Sequence, residues 1–251
     1  MKLPLPVMVM MFLLLTACSA QPDAMLESVF FPTQEPLTGE IILDDIWKMD
    51  KIPELWSNDW FEANHGEDIY IAAKNNVVVR TYEEYNRVYE LKTGKGKIVG
   101  TNGGEWGGNI KFIPIFGSGY TLVAENFLGF YIIENRIFAF TGIAHMDTDE
   151  GSLYELIFNN GKWKAERIID LESEPQSYLL VDKTLYLVTN KNLFIIENDK
   201  IAKQIVAGDS WFSLYPNSIV VINSTVYMGA RGGMFSVDLD NETIGRYVIH
   251  N

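Results

Sequence analysis

Two aspartates near the middle of the chain, Asp147 and Asp149, have a spacing that could hold a metal ion. Carboxylates two residues apart, followed by a turn glycine such as Gly151, supply the hard oxygen ligands that Ca²⁺ prefers. The places where later ligands of such a loop would fall are apolar, at Leu153 and Ile157. We therefore predict a solvated hairpin tip at this point, and a calcium site is the alternative interpretation.

The stretch from Gly100 to Asn109 places five glycines around Glu105 and Trp106. Such a density of glycine indicates tight turns or a close approach of the backbone. Glu105 and Trp106 could meet a ligand by hydrogen bonding and stacking. The alternative, which we favour, is a connection between two sheets in which Trp106 packs in the core. Trp211 and Arg231 lie in predicted loops and are further candidate ligand contacts, because loops often carry function.

The sequence contains no recognisable catalytic motif. It lacks the Gly-x-Ser-x-Gly pattern of a nucleophilic serine, and its three histidines are scattered near predicted turns or the terminus. The 33 acidic residues leave a pair of carboxylates for glycoside chemistry open, since sequence fixes no distance between them. We assign no catalytic residue, no cofactor and no metal ion beyond the calcium candidate Asp147 and Asp149.

The first residues have the layout of a secretory signal peptide. Lys2 is followed by an unbroken apolar run from Val7 to Leu15 and then by small residues. The apolar stretch is shorter than the roughly 20 residues that a membrane-spanning helix needs. We therefore predict that residues 1–17 are a signal peptide rather than a membrane anchor.

The only cysteine of the chain ends this apolar run, in the segment Leu15-Thr16-Ala17-Cys18. This segment resembles the lipobox of bacterial lipoproteins. The resemblance implies cleavage before Cys18, a diacylglycerol on its sulfur and further acylation such as palmitate. It also implies a location in the cell envelope, either at the outer membrane facing the periplasm or at the outer face of the plasma membrane, according to the type of bacterium. The alternative is an ordinary secretory signal that is cut after Ala20.

Composition restricts the partners that the protein can have. The 251 residues carry 20 Lys and Arg against 33 Asp and Glu, a formal charge of −13. This balance argues against nucleic acid and against a basic membrane-binding surface. Hydrophobic residues make up 47% of the chain, which suffices for a packed core.

Three regions follow the signal peptide. Residues 18–40 contain three prolines and are predicted to be a tether. Residues 41–64 contain Trp47, Trp56 and Trp60 and are predicted to be a short helical or irregular cap, with Trp56 and Trp60 on one helical face. Residues 65–251 alternate short β-prone runs with Asn, Gly and Asp turns, which predicts an all-β domain.

An internal repeat appears in the β-prone region. Phe138, Tyr186 and Tyr227 fall at matching places in three copies, each long enough for four short strands. A repeat of about 40–50 residues with four strands predicts a β-propeller, here of four or five blades. The segment YELKTGK at residues 89–95 resembles the strand and turn of quinoprotein-like propeller repeats. A β-sandwich or an open barrel is the alternative architecture.

These observations favour a lipid-anchored, non-enzymatic binding or interaction protein of the cell envelope. The predicted partner is a protein or a cell-wall component, and an immunity or inhibitor role is one specific version. An acidic binder suits a basic partner through electrostatic steering. The alternatives are an envelope enzyme of propeller type, such as a saccharide hydrolase or lyase, and an envelope assembly scaffold.

Overall fold

The computed structural model describes residues 33–38, 42–74, 76–82 and 89–250, and these residues form five β-sheets. The sheets are numbered 1 to 5 in the order of their antiparallel strands along the chain. The predicted signal peptide 1–17, Cys18 and most of the predicted tether 18–40 lie outside the described residues. The prediction of an all-β domain is confirmed.

Sheets 2 and 3 are antiparallel meanders of four strands each, paired in chain order. The strands of sheet 2 are β6 (Glu90–Thr93), β7 (Gly96–Asn102), β8 (Gly108–Pro114) and β9 (Tyr120–Val123). The strands of sheet 3 are β10 (Phe127–Ile133), β11 (Arg136–His145), β12 (Thr148–Asn159) and β13 (Lys162–Asp170). A single turn of 3₁₀-helix, η1 (Gly104–Trp106), separates β7 from β8.

Sheets 4 and 5 repeat this meander and each add one strand from the N-terminal part of the chain. The meander of sheet 4 is β14 (Pro175–Val181), β15 (Thr184–Thr189), β16 (Asn192–Glu197) and β17 (Lys200–Val206), with β1 (Thr33–Gln34) parallel to β14. The meander of sheet 5 is β18 (Ser218–Ile222), β19 (Thr225–Ala230), β20 (Gly233–Asp238) and β21 (Thr243–Ile249), with β3 (Trp47–Asp50) antiparallel to β21. Sheet 1 contains β2 (Ile42–Leu43), β5 (Val77–Thr81) and β4 (Tyr70–Lys74) in that spatial order.

The predicted repeat coincides with the strands of the sheets. Phe138, Tyr186 and Tyr227 are each the third residue of the second strand, in β11, β15 and β19. The strand before each of them is rich in Ile, Leu, Val or Phe and largely buried, as β18 shows with five buried residues in a row. Strands that pack on both faces need such apolar runs.

Hydrophobic clusters join neighbouring sheets in the order 2, 3, 4, 5, 1. Phe127 and Phe130 of sheet 3 pack with the inward side chains of sheet 2, and Phe194 of sheet 4 packs with those of sheet 3. One cluster unites sheets 4 and 5, and another unites sheets 5 and 1 around Ile71. No hydrophobic cluster of the described residues joins sheets 1 and 2.

The predicted cap contains one helix, α1 (Asn58–Asn64), and also the two strands β2 and β3, which we did not predict. Ser57 caps the helix by accepting a hydrogen bond from the backbone N–H of Trp60. Trp60 is buried against sheets 4 and 5, and Trp56 precedes the helix with its ring 4.7 Å from that of Trp60. Among the described residues, no helix has the length and apolar character needed to cross a bilayer.

The strand β3 ties the N-terminal part of the domain to its C-terminal end. Met49 pairs with Tyr247 and Asp50 with Arg246 along the edge of sheet 5. The buried guanidinium of Arg246 contacts the Asp50 carboxylate at 2.5 Å and donates to the carbonyl of Gly232. Sheet 5 is therefore completed by residues about 200 positions apart in sequence, a closure that long-range hydrogen bonds stabilise.

Candidate functional site

A cleft of about 270 Å³ opens where sheets 2 and 3 meet. Its walls come from the end of η1, from the loop between β9 and β10, and from the facing parts of β11, β12 and β13. Glycines and charged side chains dominate the lining: Gly107, Gly108, Gly142, Gly151, Glu125, Glu150, Arg167 and Asp170. Three carboxylates and one guanidinium thus line the cleft, which makes it acidic.

Glu125 is the most tightly held of these charged groups. Its carboxylate accepts hydrogen bonds from the hydroxyls of Thr141 and Tyr154, the latter at 2.7 Å, and from the Arg167 guanidinium at 2.9 Å. Arg167 also donates to the Tyr154 oxygen at 3.1 Å and lies 3.7 Å from the Asp170 carboxylate. This network holds the negative charge of Glu125 and the positive charge of Arg167 in fixed positions in the floor of the cleft.

The surroundings keep Glu125 ionised. Partial burial disfavours its charged form, but the hydrogen bonds from Thr141, Tyr154 and Arg167 outweigh that effect and lower its pKa. Burial, and then the hydrogen bond to Glu125, raise the pKa of the Tyr154 hydroxyl. Tyr154 therefore stays a donor and Glu125 an acceptor, an arrangement suited to holding a charge rather than to transferring a proton.

We expect Glu125→Gln to remove an acid-sensitive part of the stability. A carboxyl whose pKa is lowered by folding stabilises the protein above its unfolded pKa, and this stabilisation is lost as pH falls through the folded pKa. At neutral pH the variant should lose about 1–2 kcal/mol of unfolding free energy, since hydrogen bonds to a charged group are lost. Below the ordinary glutamate pKa of 4.5, the difference from wild type should shrink toward zero.

Urea unfolding across this pH range measures the effect. Glu166→Gln, which removes an exposed carboxylate from β13, is the matched control and should change little at any pH. A loss that is equal at neutral and acid pH would show that the Glu125 charge contributes nothing.

The glycine-rich stretch is a hairpin inside sheet 2 and not a connection between sheets. Its two ends belong to β7 and β8, and Asn126 holds the turn by accepting from the Gly103 N–H and donating to the Gly104 carbonyl. A Cβ at Gly100 would lie 2.1 Å from the Phe127 ring. Gly104 has φ +60, which glycine adopts without a steric penalty. Close packing therefore explains the glycine at position 100, and turn geometry explains the glycine at position 104.

Trp106 immediately precedes Gly107 of the cleft lining, and 78% of its surface is exposed, so the expectation that it packs in the core is wrong. The neighbouring Glu105 carboxylate lies 3.0 Å from Nε2 of His145 at the end of β11. This contact links η1 of sheet 2 to the β11–β12 hairpin of sheet 3. Met146 follows in the turn of that hairpin and is 91% exposed, so an exposed apolar side chain stands on each side of the Glu105–His145 contact.

Asp147 lies in the β11–β12 turn, as predicted, whereas Asp149 is the second residue of β12, and the two are not assembled as metal ligands. The Asp149 carboxylate accepts from the backbone N–H of Glu174 at 2.8 Å and lies 2.8 Å from the Lys191 ammonium. It therefore connects sheet 3 to sheet 4. In the part of the chain that the structure describes, no three His, Cys, Asp or Glu side chains are grouped so as to hold a metal ion.

The other two candidate ligand contacts lie away from the cleft. Trp211 is fully buried between sheets 4 and 5, where its indole N–H donates to the Thr189 carbonyl at 3.0 Å. A ligand has no access to it, so its assignment as a ligand contact is wrong. Arg231 lies in the β19–β20 turn of sheet 5, donates to Asp68 at 3.0 Å and covers the ring of Tyr215. Its guanidinium thus serves internal contacts.

Sequence reasoning found the rim of the site but not its floor. It singled out Glu105 and Trp106, whose hairpin forms one wall, and missed Glu125, Tyr154 and Arg167. These three residues come from different strands or loops and meet only through the pairing of β12 with β13 and the fold of the β9–β10 loop. No local pattern marks them in the sequence.

No protein-family model matches the chain, and no curated protein sequence matches it. Among solved structures, the chain is similar to the crystal structure of the tricorn protease, with 14% identity and a TM-score of 0.35 over 68% of this chain and 19% of that one. It is also similar to the WD40 domain of Neurospora crassa Pan2, with 13% identity and a TM-score of 0.26 over 84% of this chain and 74% of that one. The chain spans about a fifth of the tricorn protease structure.

Proposed function

We propose that this protein is a lipid-anchored binding protein of the cell envelope, and that the cleft between sheets 2 and 3 receives a basic segment of a partner protein. The observation that carries the proposal is the acidic lining of the cleft together with the exposed Trp106, which adjoins the lining residue Gly107. A Lys or Arg of the partner would meet Glu150 and Asp170, while Trp106 would cover its aliphatic part or its cationic head.

The charge of the whole chain supports the same kind of partner. A net charge of −13 attracts a basic protein over several ångströms and raises the rate of encounter. The lipid on Cys18 would keep the protein at the membrane surface, where such a partner must pass. An immunity or inhibitor role against a basic envelope-directed protein is the specific version that we favour.

We propose a propeller-type architecture as the scaffold of this site. The five sheets would be its blades, with the seam between sheets 1 and 2. The repeated four-stranded meander and the hydrophobic clusters between successive sheets support this arrangement. In such a scaffold, turns between second and third strands would gather at one end, and η1 and Arg231 both belong to turns of that kind.

Three carboxylates in one cleft are also the type of group that a saccharide-cleaving enzyme uses. Glycoside hydrolysis needs a carboxyl group that stays protonated until it donates its proton. The pKa of Glu125 is lowered, and its oxygens already accept hydrogen bonds from three side chains. Glu125 is therefore a poor general acid, and the cleft fits binding better.

Capture from detergent-solubilised envelopes tests the proposal, with the full chain as bait. We expect one basic protein to be enriched, and its recovery to fall about tenfold or more with Trp106→Ala or Glu150→Lys, as truncation of a central contact usually costs. Trp56→Ala is the matched control, because Trp56 is also exposed but lies beside α1.

The enriched protein must respond to the cleft variants and not to the control. Its recovery should also fall as salt is raised, since steering by charge is screened. Recovery that is equal with all variants, or the absence of any enriched basic protein, would contradict the proposed function.

A further inference from the structure

The β8–β9 hairpin ends in an apolar tip that projects from sheet 2. Phe116 is 90% exposed and Ile115 is 64% exposed, and Ile113 of β8 adjoins them on the outer face. The Ile115 N–H donates to the Lys95 carbonyl at 3.0 Å, which ties the tip to the β6–β7 turn. Three large apolar side chains grouped in water are costly unless another surface covers them.

Two lysines, Lys95 in the β6–β7 turn and Lys162 at the start of β13, belong to elements beside this tip although the chain as a whole is acidic. Residues 89–123 contain four lysines and two glutamates, and one of those glutamates, Glu105, lies at the other end of the β7–β8 hairpin. Lys95 flanks the tip directly. Lys162 begins β13 beside Trp163, whose backbone N–H donates to the Tyr120 hydroxyl of β9 at 2.8 Å. The ion pairs among the described residues include neither Lys95 nor Lys162.

The tip and the cleft lie at opposite ends of sheet 2. Strand β7 runs from Gly96 beside the tip to Asn102 next to η1, and β8 runs back. Seven residues of strand separate the two ends by about 20 Å. A surface that covered the tip would therefore leave the cleft open on the far side.

We infer that the β8–β9 tip inserts into the interface of a membrane that contains anionic phospholipids. Ile115 and Phe116 would enter the boundary between headgroups and acyl chains, and Lys95 and Lys162 would pair with lipid phosphates. The net charge of −13 alone predicts repulsion from such a membrane. The lysines beside the tip are therefore the feature that selects this partner. The contact would orient the cleft away from the bilayer.

A fluorescent probe on the tip tests the inference without reference to the lipid anchor. The full chain with Cys18→Ser and Phe116→Cys has one thiol, which is labelled with the environment-sensitive dye NBD. Vesicles of equal parts phosphatidylglycerol and phosphatidylcholine should shift its emission to the blue. The same dye at Met146→Cys, which is equally exposed in the β11–β12 turn, should show no shift. The two labelled variants differ only in the position of the thiol, so any other mode of attachment to the vesicle affects both variants alike.

Changing the lipid composition and replacing the two lysines test whether charge contributes to the contact. With phosphatidylcholine alone, or with Lys95→Gln and Lys162→Gln together, the shift at the tip should be mostly lost. A shift at both label positions, or at neither, would overturn the inference. A blue shift of the emission at the tip that depends neither on anionic lipid nor on the two lysines would overturn the role given to charge. Failure of the capture experiment would leave these results unaffected, because no partner protein is present.

Discussion

Cys18→Ser is expected to release the protein from the membrane fraction almost completely. Each buried CH₂ of an acyl chain contributes about 0.8 kcal/mol, so two long chains contribute more than about 20 kcal/mol of anchoring. The apolar tip of sheet 2 offers only reversible contact by comparison. Fractionation of cells followed by a salt wash measures the effect, because salt weakens contacts to lipid phosphates and not the insertion of acyl chains.

Ser19→Ala is the matched control and should remain with the membrane, since it leaves Cys18 in place. Mass spectrometry of the N-terminal peptide should find the Cys18 sulfur carrying lipid in wild type. A wild-type chain that begins after Ala20, or a Cys18→Ser chain that stays in the washed membranes, would contradict the lipoprotein interpretation.

Trp211→Ala is expected to cost about 3–5 kcal/mol of unfolding free energy, which is a large part of the stability of most domains. The indole fills the interface between sheets 4 and 5, and its N–H satisfies the carbonyl of Thr189. Truncation leaves a cavity and an unpaired buried carbonyl together. Unfolding in urea, followed by circular dichroism, measures the loss.

Trp106→Ala provides the comparison, because it makes the same chemical change at an exposed position. Its unfolding free energy should change by less than about 0.5 kcal/mol. The two variants thus separate stability from binding: Trp211→Ala should unfold early, and Trp106→Ala should fold normally but lose the captured partner. Equal losses of stability would show that the two side chains are not packed as described.

The strands that the sequence predicts well are those buried on both faces. The runs around Ile137, Leu193 and Ile219 are almost continuously apolar, and burial of these residues requires that pattern. The outer strands β13, β17 and β21 were predicted only as the fourth strand that each repeat has room for, without bounds. Each mixes charged and apolar residues because one edge or face meets water, and such short mixed runs resemble loops.

Residues whose structure depends on partners distant in sequence were also not predicted. Strands β2 and β3 are short, and only the pairing with β5 and β21 makes them strands. Trp106 and Trp211 are the same residue type in predicted loops, yet one is exposed and the other is fully buried. Burial depends on which elements pack over a loop, and local sequence does not encode that.

The joining of β3 to β21 also has a consequence for how the protein is made. Sheet 5 lacks its edge until Trp47–Asp50 meets Thr243–Ile249, so an early strand of the domain must wait for a strand synthesised about 200 residues later. Contacts between residues so far apart in sequence slow folding, since a long loop must close first. A chain that stops short of Thr243 would carry β3 with no antiparallel partner, and we expect such chains to be unusually prone to aggregate or to be degraded.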